Sequence, residues 1–228
     1  MSRAVSPGVP DMTQIGLKNT FDFPPDHKTF PILRDAVQEC RGCDLYRRAT
    51  QAVFGEGKRS SLVVFIGEQP GDEEDREGRP FVGPAGRLLD RAFEDAGIDR
   101  TTVYVTNAVK HFKFEERGKR HIHKKPEASE IRACRFWLEA ELELIRPAIL
   151  VCLGATAAQS VFGAKHRVTR DRGIFIEHAW APHATSTIHP SAILRARDEE
   201  SCHREYAAFV ADLEKVRTLM KTAIREGL

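Results

Sequence analysis

The chain has 228 residues, 41% of them apolar, which suits one medium domain built on one substantial core and excludes a fully disordered chain. No run of about 18 apolar residues exists, and the start lacks the charged-then-apolar pattern of a secretory signal, so a cytoplasmic protein without a membrane span is expected. Net charge is only +2, yet residues 110–125 hold seven Lys or Arg against two Glu, a local +5 that leaves the remainder of the chain at −3. Positive charge is thus focused, as a phosphate-binding footprint requires.

In chain order, residues 1–25 carry Pro7, Pro10, Pro24 and Pro25 without an apolar period and read as a loose leader to a domain spanning 26–228. A helix is expected over about 31–40, ending at the turn "CRGC" with Gly42 in a left-handed conformation. "SLVVFIGE", 61–68, is a β-branched-rich apolar run, the pattern of a strand buried on both faces. A Gly-rich loop follows, then helical spacing at Leu88, Leu89, Ala92, Phe93 and Ala96 with Gly97 as a stop. "TTVYVTNAV", 101–109, is the next strand, and the basic segment after it reads as a loop. A long amphipathic helix opens at Pro126 and runs to about Ile145. "AILVCLG" is a third buried strand, "ATAAQSVFG" a short helix, and "GIFIEHAW" and "ATSTIHP" are further strands before a long helix from about Glu199.

Strands alternating with helices predict an α/β fold: a three-layer α/β/α sandwich with a central, mostly parallel sheet in a single domain. Ligands of such sheets bind beyond the carboxyl ends of the strands. The segments "GEQPG", "TNAVKHF" and "HPS" each directly follow a strand, so they should converge on one site.

Taken singly, these residues permit plain readings. Glu68 and Gln69 suit an ordinary strand-to-helix loop, Phe81 a core aromatic, Asn107 a turn former and His189 a capping histidine. Cys40 and Cys43 form a C-x2-C pair, a local metal signal, whereas Cys134 and Cys152 read equally well as small buried apolar residues. Five cysteines, an odd number, favour thiols or metal ligands over a disulfide framework. A nucleotide-binding or flavodoxin-like reading is disfavoured, because neither GxGxxG nor GxxxxGK[ST] follows the first strand.

"GEQPG", "GRPFVGPAGRLLD", "TNAVKHF" and "HPSAILR", in this order over about two thirds of the chain, resemble the uracil-DNA glycosylase superfamily, specifically its iron-sulfur family 4 branch. The usual family 4 loop reads GEAPG. Gln69 in place of Ala, together with the insert "KFEERGKRHIHKK", is similar to the UdgX class, which binds uracil-containing DNA covalently. The resemblance implies that Phe81 stacks on a flipped uracil, that Asn107 reads its O4 and N3 edge, and that Gln69 and His189 also contact the base. It further implies that Glu68 stabilises the sugar as the glycosidic bond breaks and that His189 donates to O2 of the departing anion. Family 4 proteins hold a [4Fe-4S] cluster on four cysteines, which map here onto Cys40, Cys43, Cys134 and Cys152; zinc on the same thiolates is the competing assignment.

Lys110, Lys113, Arg117, Lys119, Arg120, Lys124 and Lys125, with Ser191, are expected on the DNA backbone, and His111 is assigned a structural or phosphate-side role. "KRHIH" resembles the UdgX loop motif, and alignment through Ile122 and Lys124 maps the covalent histidine onto His123, with His121 standing where the usual loop has Arg. The implied protein excises uracil from single-stranded or duplex DNA and is captured once, as a monomer, at C1′ of the abasic sugar. The alternatives are a conventional multiple-turnover glycosylase that uses water, and a catalytically dead DNA-binding module.

Overall fold

The computed structural model describes residues 28–226; the leader lies outside the described residues. Five strands form the sheet: β1 (Val63–Gly67), β2 (Val103–Asn107), β5 (Ile149–Leu153), β6 (Ile176–His178) and β7 (Ala181–Thr187), in the order β2-β1-β5-β7-β6. The first four in that order are parallel, and β6 closes one edge antiparallel. β1, β2 and β5 are buried at every position, which is why they read as continuous apolar runs.

Alternation along these strands separates two apolar layers. Val63, Phe65, Val103, Val105, Ile149 and Val151 meet α3 (Pro84–Ala96), α7 (Pro190–Leu194) and α8 (Glu199–Glu226) through Leu89, Phe93, Ile193, Phe209 and Leu213. Val64, Ile66, Tyr104, Leu150 and Cys152 meet α4 (Ala128–Ile145) and α5 (Gly154–Phe162) on the other face. The expected three-layer sandwich is therefore observed. Phe65 and Phe93 meet edge-on at 4.8 Å, a contact that contributes about 1 kcal/mol beyond its buried area.

Several boundaries differ from expectation. The first helix, α1 (Phe30–Gln38), ends at Glu39, and Gly42 is not among the residues with positive φ. The helix placed at Pro126 begins at Ala128, where the Glu130 carboxylate reaches back to the Glu127 N–H at 2.6 Å. Gly97 does stop α3, with φ of 69°. The basic segment is not a loop but a hairpin of β3 (Phe114–Arg117) and β4 (Arg120–His123), turning at Gly118 with φ of 60°. Its strands escape an apolar reading because all of their residues but Phe114 face solvent.

Candidate active site

β1 and β2 end in register, Gly67 opposite Asn107, and β7 ends just before His189. The three polar motifs therefore converge at one end of the sheet. A side chain at Gly67 would overlap Asn107 Oδ1 and come within 2.7 Å of Phe81 Cζ, and one at Gly86 would overlap the Phe81 carbonyl. Both glycines thus permit Phe81 and Asn107 to close on the strand end. Phe81 holds a left-handed backbone, φ 58°, unusual for a bulky residue and typical of functional positions. Its ring lies 6.2 Å from that of His189 at 28°. Asn107 is buried, and its Oδ1 has no hydrogen-bond partner among the described residues.

His189 caps α7. Its Nδ1 accepts from the Ser191 N–H at 3.1 Å and lies 2.8 Å from Ser191 Oγ, so the neutral ring carries its proton on Nε2. Burial, then the charges of His123 and Arg195, push its pKa down to about 4. The result is a neutral N–H donor at ordinary pH. Ser191, expected on DNA, is the residue that fixes this tautomer.

The hairpin is held on the site by Gln69. This buried amide accepts from the Lys113 N–H at 3.2 Å through Oε1. Through Nε2 it donates to the carbonyls of Lys113 and Lys124, each at 3.1 Å, and lies 3.0 Å from His123 Nε2. Two carbonyls at the same nitrogen fix the amide orientation and take up both of its hydrogens. The base contact expected of Gln69 is thereby corrected, because both ends of its amide are taken up by the hairpin. Glu68 Oε1 lies 3.5 Å from the same His123 Nε2. Burial lowers the His123 pKa and Arg195 adds to this, while Glu68 and Glu74 oppose it. His121 is turned away: its Nδ1 pairs with Asp72 Oδ1 at 2.8 Å, and its ring rests on Phe114 at 4.1 Å. The two histidines therefore differ in task, one facing Glu68 and the other anchoring the hairpin to the first turn of the short helix Asp72–Glu77.

The basic residues divide. Arg117, Lys119, Arg120 and Lys125 are exposed and make no ion pair among the described residues. Lys124 pairs with Glu115 at 3.0 Å, and Lys113 with Glu127 and Glu130 at 2.9 and 3.0 Å. Lys110 is removed from the DNA-facing set. Its ammonium is fully buried, 2.7 Å from Glu141 Oε2, and also donates to Thr106 Oγ1 and the Asn107 carbonyl. Alternation along the strand end turns this side chain inward, which charge counting does not detect.

Cys40, Cys43 and Cys134 share one apolar cluster with Trp137 and Val109. Trp137 Nε1 donates to Cys40 Sγ, and the Lys110 N–H to Cys134 Sγ, each at 3.1 Å. Burial pushes the Cys134 thiol up to about 12. Cys152 does not join them: it lies mid-strand opposite Ile66 and Ser186, in the other apolar cluster, its thiol raised by burial alone. The four-cysteine set therefore does not fit a cluster. Among the described residues no three His, Cys, Asp or Glu side chains converge as a single ion such as zinc demands. His111 follows Lys110, is buried, and makes no hydrogen bond among the described residues; burial takes its pKa down to about 4. It is not on the phosphate side.

Sequence reasoning missed Thr156, Asp72, Glu141 and Arg195. Thr156 follows the end of β5 at the ligand-binding edge, the one signal that could have found it, whereas Arg195 caps the end of α7.

An α/β sandwich that gathers a buried aromatic, an unpartnered amide and a neutral imidazole donor at its strand ends belongs to a class that handles planar polar ligands such as bases. The sequence model of the uracil DNA glycosylase superfamily matches residues 54–214, and the chain belongs to that superfamily. It is 38% identical over 191 residues to the type-4 uracil-DNA glycosylase of Thermotoga maritima, covering 83% of this chain and 94% of that protein. The type-4 enzyme of Archaeoglobus fulgidus is 40% identical over 131 residues, 58% of this chain and 62% of its own. That of Pyrobaculum aerophilum is 31% identical over 170 residues, 72% and 83%.

Proposed function

We propose that this protein excises uracil from DNA and is then captured on the abasic sugar through His123. The observation that carries the reading is the placement of His123 Nε2, 3.0 Å from Gln69 Nε2 and 3.5 Å from Glu68 Oε1. The type-4 relatives support uracil in DNA as the substrate.

Uracil flips against Phe81, and the unpartnered Asn107 Oδ1 accepts from N3–H. As the C1′–N1 bond breaks, its electron pair leaves with uracil, and His189 Nε2–H donates to the developing charge on O2. Glu68 faces the cationic sugar. The His123 Nε2 lone pair then forms the bond to C1′, and Nδ1 releases its proton to solvent. A lowered pKa keeps that lone pair free near neutral pH. Gln69 holds the hairpin so that histidine, and not water, occupies this face. Arg117, Lys119, Arg120 and Lys125 grip phosphates.

We also infer a [4Fe-4S] cluster held by Cys40, Cys43 and Cys134. His111 is offered as the fourth ligand in place of Cys152, since it is buried, makes no hydrogen bond among the described residues, and directly follows Lys110, whose N–H donates to Cys134 Sγ. The cluster's part would be structural, pinning the N-terminal turn to α4.

Intact-protein mass spectrometry after incubation with a uracil oligonucleotide tests capture: a species at the summed mass of protein and abasic DNA is expected. Free uracil with no adduct would instead establish the water-using glycosylase of the type-4 pattern.

A further inference from the structure

Glu68 has a second partner that the reaction above leaves unused. β5 ends at Leu153, and Gly154, with φ of 86°, turns the chain directly into α5. A side chain at Gly154 would come within 2.8 Å of His189 Cβ, so glycine lets the first turn of α5 close on the site. That turn carries Thr156, which is 3% exposed and whose hydroxyl donates to Glu68 Oε2. The two carboxylate oxygens are thereby divided: Oε2 goes to Thr156, while Oε1 faces His123 Nε2 at 3.5 Å.

A free glutamate rotates about three side-chain bonds, and its carboxylate oxygens exchange places by a flip about the last of them. Fixing one oxygen removes that freedom and sets the other toward the sugar face. Thr156 also lines a cavity of about 350 Å³ between α4, α5 and the base of the hairpin, along with Lys125, Arg132, Arg135 and Gln159.

We propose that Thr156 is a positioning residue for the reaction, anchoring Glu68 Oε2 so that Oε1 is presented to the sugar and to His123. The inference rests on the role given to Glu68 above, but not on covalent capture, because Glu68 serves water and histidine alike as nucleophile.

The test is single-turnover release of uracil and formation of adduct, measured in parallel for wild type, Thr156→Val and Thr156→Ser. Oligonucleotide affinity and thermal unfolding are recorded for each. Valine keeps the shape and removes the donor, and a hydrogen bond to a charged group is worth enough to slow both steps about 10- to 100-fold. Affinity should stay unchanged. Serine keeps the hydroxyl and should stay within about threefold of wild type. In a Glu68→Gln background, Thr156→Val should slow release less than about twofold, because the two residues act as one unit.

Thr156→Val at the wild-type rate would overturn the proposal. So would a serine variant that folds yet is as slow as valine, or a valine effect that persists in full beside Glu68→Gln. A wild type that releases uracil without adduct refutes capture alone, and the Thr156 effect is then read on uracil release.

Discussion

Replacing Lys110 by methionine strips the cation from a pair in which both side chains are 0% exposed. Glu141 keeps the Gly55 N–H at 2.8 Å, the Tyr104 hydroxyl at 3.2 Å and the Thr106 hydroxyl at 2.8 Å, but loses its one opposite charge among the described residues. Breaking a buried pair from one side costs about 3–5 kcal/mol, and three surviving donors place this case near 3. At about 2–4 °C per kcal/mol for a domain of this size, the melting temperature should fall by roughly 6–12 °C. Adding Glu141→Gln removes the stranded charge and keeps an acceptor for Gly55 and Tyr104, so more than half of the loss should return. Denaturant unfolding of both variants is the assay, with DNA affinity measured across salt concentrations. Lys110→Met should leave the salt slope unchanged, whereas Arg120→Ala should reduce it by about 1. A Lys110→Met protein with wild-type stability and a slope reduced by about 1 would return Lys110 to the DNA surface and refute the reasoning.

Gln69→Ala removes the three amide bonds to the backbone of Lys113 and Lys124 at the hairpin base, so adduct formation should fall at least tenfold (~1.4 kcal/mol) while uracil release persists; a quench-flow comparison of the two products checks this. Protonation of His123 consumes its lone pair, and its pKa lies below the usual 6.5, so adduct formation should be flat from alkaline pH down through neutrality and fall only below about pH 6.5. His189, with a pKa of about 4, stays neutral throughout that range, so uracil release by His123→Ser should lack the same acidic limb; a pH–rate profile of both proteins decides. Iron and sulfide analysis should find Cys152→Ala unchanged from wild type and Cys134→Ser and His111→Ala depleted. Loss of iron in Cys152→Ala would restore the four-cysteine set.

The sheet was legible because β1, β2 and β5 are buried on both faces and carry unbroken apolar runs. Convergence of the three polar motifs followed from their positions after strands. What escaped was whatever depends on side-chain direction. Lys110 belongs to a basic run by composition but turns inward to Glu141, and Cys152 shares a chemistry with Cys134 but lies in another layer. The hairpin was hidden because a solvent-exposed two-stranded ribbon has no apolar period, and its register is set from outside by Gln69 and Asp72. Thr156 was invisible because its partner is 88 residues away in sequence.

Denaturing gel electrophoresis of a labelled uracil oligonucleotide, with wild type and His123→Ser side by side, addresses capture most directly. Wild type should give a retarded band that survives heat and detergent, in an amount that never exceeds one per protein molecule. His123→Ser should give no such band, and alkali should cleave its DNA at the abasic site. A retarded band of undiminished strength in His123→Ser, or its absence in wild type, would contradict the account.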